Sequence, residues 1–130
     1  MATRSNIAIR LHEEDRNRDF YTPWGEKVNA NGAEYLYVYC HWDGYPEGVG
    51  ADLMDRFTGA TYQEMLDFIL EGDRSTVDTS YLAWRGEECA PEPMPTPVVH
   101  EEFLYLLTDV HGEGEVFLWN EDDAEWELMD

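Results

Sequence analysis

The chain has 130 residues, 43% of them hydrophobic and 14% aromatic, and its 29 acidic against 8 basic side chains give a formal net charge of −21. That apolar content excludes a disordered chain, and the length fits a single domain over residues 1–130. The charge excludes direct nucleic-acid binding and anionic membranes as partners and favours basic surfaces, although solubility or a high-salt setting would call for the same acidity.

The opening MATRSNIAIR lacks the apolar stretch of a secretion signal, and no run of 18 apolar residues follows. The expectation is a cytoplasmic protein with Cys40 and Cys89 as reduced thiols. Asn6 to Leu11 places Ile7, Ile9 and Leu11 on one side, the period of a half-buried strand. Residues 12–32 are polar and read as a long connection ending in the turn signal Asn31-Gly32.

Glu34 to Trp42 is the clearest strand. Its two faces carry Tyr35, Tyr37, Tyr39 and His41 on one side and Leu36, Val38, Cys40 and Trp42 on the other. The Gly- and Pro-bearing stretch Asp43 to Gly50 reads as a loop. Helical spacing then runs through Ala51 to Phe57. Thr61-Tyr62-Gln63-Glu64 predicts a capping box that opens a second helix with Met65, Leu66, Ile69 and Leu70 on one stripe. Gly72 is its natural stop.

Thr79 to Arg85 predicts another strand. Pro91, Pro93, Pro95 and Pro97 make the next segment a stiff connector. Phe103 to Thr108, Glu115 to Trp119 and Glu125 to Leu128 read as a closing run of strands, turned at Gly112-Glu113-Gly114 and at Glu121 to Ala124. Strands that cluster rather than alternate with helices predict an α+β fold. The expected architecture is a mainly antiparallel sheet of about five strands with a helix pair, about 51–71, on one face.

Two phrases stand out, Thr3-Arg4-Ser5-Asn6-Ile7-Ala8-Ile9 and Tyr39-Cys40-His41-Trp42-Asp43-Gly44-Tyr45-Pro46-Glu47-Gly48-Val49-Gly50. In this order they resemble a family of small phage and prophage proteins, as do Glu71-Gly72-Asp73 and Phe103-Leu104-Tyr105-Leu106. The chain departs from that pattern in the proline-rich connector and the acidic tail. The resemblance implies a mobile-element origin, hence a host-cell cytoplasm, and brings no catalytic residues with it.

Chemistry-bearing patterns are sparse. There is no GxSxG, no phosphate-binding glycine loop and no CxxC or HxxxH pair, so no catalytic residue, metal or cofactor is expected. Tyr35, Tyr37 and Tyr39 share a strand face as an exposed base-stacking platform would, but basic residues to track phosphates are missing. His12, His100 and His111 are scattered through the chain. An alternative site gathers Cys40, His41, Asp43 and Tyr45 at a strand end, as a small hydrolase or a ligand- or metal-binding protein would. The bland reading of that loop is structural, with Gly48 and Gly50 supplying positive φ before the helix.

All eight basic residues lie at or before Arg85, where fifteen acidic residues accompany them, and the fourteen acidic residues beyond face no Lys or Arg. Within that tail Glu113, Glu115, Glu121, Asp122, Asp123, Glu125 and Glu127 form the candidate binding set. Alternation holds Glu113 with Glu115, and Glu125 with Glu127, about 7 Å apart along strands. The expected function is a carboxylate surface that imitates DNA and binds a basic, nucleic-acid-binding host protein.

Overall fold

In the computed structural model, which describes residues 3–40, 43–71 and 90–129, the opening alternation becomes strand β1 (Ser5–Arg10). A short 3-10 turn, Glu13–Asp15, follows it. Strands β2 (Phe20–Tyr21) and β3 (Lys27–Val28) pair as a small hairpin inside the stretch that composition reads as a connection. Next come β4 (Tyr35–Cys40), a π-helical turn at Pro46–Gly50, α1 (Ala51–Phe57) and α2 (Tyr62–Glu71). The chain closes with β5 (Glu92–Met94), β6 (Phe103–Thr108), β7 (Glu115–Asn120) and β8 (Glu125–Leu128). The strand expected at Thr79 to Arg85 lies outside the described residues.

The fold is α+β and mostly sheet. Six strands join in the order β5-β4-β1-β6-β7-β8, beside the two-stranded hairpin. The sheet is mixed. β1 pairs antiparallel with β4 on one side and parallel with β6 on the other, Ile7 facing Val38 and Tyr105. The remaining pairings of this sheet are antiparallel. A parallel neighbour needs a long crossover, and the chain between β1 and β6 supplies one. Side-chain alternation is the same for either strand direction, so periodicity carries no sign of it.

β1 is buried on both faces from Ser5 to Ile9, rather than half-buried as its alternation suggests. The hidden second face holds Asn6 and Ala8, one polar and one small. Asn6 spends its amide on the Val38 carbonyl at 3.3 Å, so a hydrophilic letter sits in the interior. β5 falls in the proline-rich connector. Pro is tolerated on an edge strand, where one side needs no ladder donor.

Both helices pack on one sheet face. Leu53 and Phe57 from α1, and Met65, Leu66, Phe68, Ile69 and Leu70 from α2, join Ile7, Ile9, Leu36, Val38, Tyr105, Leu107 and Val116 in the main core. The predicted capping box is present: the Glu64 N–H donates to Thr61 Oγ1 at 3.1 Å, and the Thr61 N–H donates to Glu64 Oε1 at 3.1 Å. These hydrogen bonds, the backbone one first, hold the Glu64 carboxyl below its ordinary value.

The opposite face has its own cluster, Ala8, Tyr35, Met94, Leu104 and Leu106, with Phe117, Trp119 and Trp126 against it. This face is concave. The Trp126 indole of β8 donates to the Tyr35 hydroxyl of β4 at 3.2 Å, although β1, β6 and β7 stand between those strands. The small Ala8 side chain beneath leaves room for the rings to close over it. Among the described residues no helix is long and apolar enough to cross a membrane.

Candidate functional site

The acidic tail does not form one row. Cross-strand partners share a face, and Trp119 pairs with Trp126 while Leu118 pairs with Glu127 and Asn120 with Glu125. Glu125 and Glu127 therefore lie on the helix-bearing side with Leu118, beyond the helices' cover. Glu115 lies on the concave side with Phe117, and the His111 ring engages its carboxylate. Glu113 belongs to the turn before β7. Glu125 and Glu127 thus share a face as their alternation predicts, Glu113 and Glu115 do not form a strand pair, and the tail presents a negative edge and tip on two faces. The cause is the register, which one intervening turn is enough to flip.

What the fold does gather is Asp123, Glu125 and Glu127. Their carboxylate oxygens lie within 4.8 Å of one another, all exposed, Glu125 and Glu127 on the strand that ends the sheet and Asp123 in the turn before it. Glu121 and Asp122 occupy the adjoining exposed turn. The Trp119–Trp126 edge-to-face contact at 4.9 Å fixes that hairpin from the other side.

The described residues of the alternative site diverge. Cys40 is fully buried in the core under the helices, whereas Asp43 and Tyr45 are exposed, the Tyr45 hydroxyl lying 3.4 Å from the Asp43 carboxylate. His41 and Trp42 lie outside the described residues. The loop's glycines serve space rather than positive φ, correcting the expectation from sequence. It is Asp43 that adopts φ 54°. A Cβ on Gly48 would stand 2.4 Å from the Asp43 carbonyl oxygen, and one on Gly44 would stand 2.9 Å from Ser5. Tyr105 pins the loop by donating its hydroxyl to the Gly44 carbonyl at 2.6 Å, and burial first of all pushes that phenol upward.

The tyrosine platform also dissolves. Tyr35 is buried, and Tyr37 stacks on His100 and donates to Glu92 at 2.9 Å. Burial, then the Glu92 acceptor, pushes Tyr37 up to about 12.

A constellation that sequence reasoning missed lies where the parallel strands β1 and β6 end together. Just past β1, the His12 Nε2 meets both Asp109 oxygens, at 2.8 and 3.1 Å, just past β6. The His12 ring lies flat on Tyr62, centroids 3.6 Å apart, and its backbone N–H donates to the Tyr62 hydroxyl at 3.2 Å. That hydroxyl donates to the buried Asp15 at 2.8 Å, which Arg18 approaches at 3.3 Å. Burial first, then the Asp15 acceptor, drives the Tyr62 phenol well above its ordinary value. His12 and Asp109 are 97 positions apart, and their meeting depends on the parallel pairing, so spacing in the sequence holds no trace of it.

Beside this junction opens a cleft of about 280 Å3 lined by Arg10, Leu11, His12, Arg16, Thr108, Asp109 and Val110. Comparisons with protein-family models, with curated proteins and with solved structures gave no match. The likeness to small phage proteins therefore rests on the sequence phrases alone.

Proposed function

We propose that this chain is a small acidic phage-type protein of the host cytoplasm that docks a basic, nucleic-acid-binding surface of a host protein through the β8 end of its sheet. The observation that carries this reading is the exposed trio Asp123, Glu125 and Glu127, whose carboxylates crowd within 4.8 Å of one another and make no ion pair among the described residues. Like charges that close repel, and a Lys or Arg brought between them relieves the repulsion. Glu121 and Asp122 widen the negative surface, and the absence of Lys and Arg after Arg85 leaves no competing cation in that part of the sequence. The β7–β8 pairing holds the backbone under Glu125 and Glu127 before any partner arrives, which lowers the ordering cost of association.

The test is neutralisation of the trio, Asp123→Asn, Glu125→Gln and Glu127→Gln together, followed by capture of partners from host extract. Expected are loss of the captured protein in the variant, loss with rising salt, and displacement by duplex DNA. Capture that survives neutralisation at an unchanged melting temperature, or that duplex DNA does not disturb, rules the reading out. The loop at Cys40, Asp43 and Tyr45 gains no support as a hydrolase or ligand site, because its described side chains do not converge.

A further inference from the structure

The cleft at the ends of β1 and β6 differs in charge from the rest of the chain. The molecule has only 8 Lys and Arg residues against 29 acidic ones, yet two of its arginines line this one cleft. Both are fastened by the same atom. Arg10 Nε meets Glu34 Oε2 at 2.8 Å, and Arg16 Nε donates to the Leu11 carbonyl at 3.2 Å. Among the described residues the terminal nitrogens of both guanidinium groups have no other partner. A guanidinium held at Nε keeps a fixed plane and offers its outer N–H groups in the geometry that suits carboxylate or phosphate oxygens. Asp109, the carboxylate in the lining, is already engaged by His12. His12 is in turn held by Tyr62 from below.

A second cleft of about 280 Å3 adjoins the first and shares Arg10, Thr108 and Val110 with it. Its other walls are Tyr35, Leu106, His111, Phe117 and Trp126, the aromatic part of the concave sheet face. Cationic donors therefore stand at one end of a continuous depression and flat apolar rings at the other. The arginine end lies at the carboxyl ends of the adjacent parallel strands β1 and β6.

We propose that this double cleft binds a small anion carried on a planar apolar body, with Arg10 and Arg16 taking the phosphate or carboxylate and Tyr35, Phe117 and Trp126 the ring. The site is independent of the acidic β8 edge and stands or falls apart from partner docking. The experiment is calorimetric titration of the full chain with phenyl phosphate, a nucleoside monophosphate, phenylacetate and inorganic phosphate. At least one ring-bearing anion is expected to bind ten or more times tighter than inorganic phosphate, and which of them binds tightest identifies the anion and the ring. Arg16→Gln should weaken that binding at least tenfold and Arg16→Lys less. Arg4→Gln, at the opposite end of β1, should leave it unchanged. Trp126→Phe should weaken the ring-bearing ligand while leaving inorganic phosphate as it was. No binding by any ring-bearing anion, equal binding of inorganic phosphate, undiminished binding in Arg16→Gln at an unchanged melting temperature, or an equal loss in Arg4→Gln overturns the proposal.

Discussion

At the level of single residues, glycine in this chain serves two separate needs. Gly48 has no room for a side chain, whereas Gly25 has open space but φ +89°. Gly48→Ala forces a methyl group against the Asp43 carbonyl, and the expected loss is about 1–3 kcal/mol or more by urea denaturation. Gly25→Ala should cost only about 1 kcal/mol, the strain of the left-handed region. If the two variants lose equal stability, the crowding around Gly48 is not the constraint described. Tyr62 is the other decisive single residue, because one hydroxyl serves both the His12 amide and the buried Asp15. Tyr62→Phe should cost about 1–3 kcal/mol, the penalty for stripping partners from buried polar groups, also read by urea denaturation.

At the level of elements, local signals read well and pairing signals read poorly. The capping box at Thr61 and Glu64 was legible because it needs only four consecutive residues. Thr61→Ala should cost about 1 kcal/mol and loosen the first turn of α2, seen as faster amide exchange there. β5 was obscured by its prolines, and the β2–β3 hairpin is too short to show a period. The direction of β6 was illegible because alternation is blind to polarity, and with it went the junction of His12, Asp109 and Tyr62. Alternation places Glu125 and Glu127 on one face of β8, but which face that is, and that Glu115 lies on the other, depends on the register set by the turn between the strands.

At the level of the whole molecule, the net charge of −21 acts on every element at once. Self-repulsion is screened as the Debye length falls from about 30 Å at 0.01 M salt to about 10 Å at 0.1 M. The melting temperature should therefore rise over that range, and a flat response would mean that the charge does not weigh on stability. The buried phenols set the alkaline limit. Tyr62, Tyr105 and Tyr37 all titrate above the ordinary value of 10.0 in the folded chain. A raised value means their contribution is complete below about pH 10 and is lost as pH climbs through the folded values. Urea denaturation at successive pH values should be level with respect to these groups up to about 10 and decline beyond, with Tyr62→Phe declining less steeply.

The place of β1 also bears on how the molecule comes into being. It precedes every other strand in the sequence yet lies inside the sheet, with partners at Tyr35–Cys40 and Phe103–Thr108. During ribosomal synthesis, at about 5–20 residues per second, one rim of β1 can close on β4 early. The rim meant for β6 stays open for some seconds more, an unpaired ribbon of Ile7, Ala8 and Ile9. High contact order of this kind slows folding and exposes the nascent chain to wrong partners. An edge left waiting in this way can be caught by a foreign strand until β6 arrives to cover it.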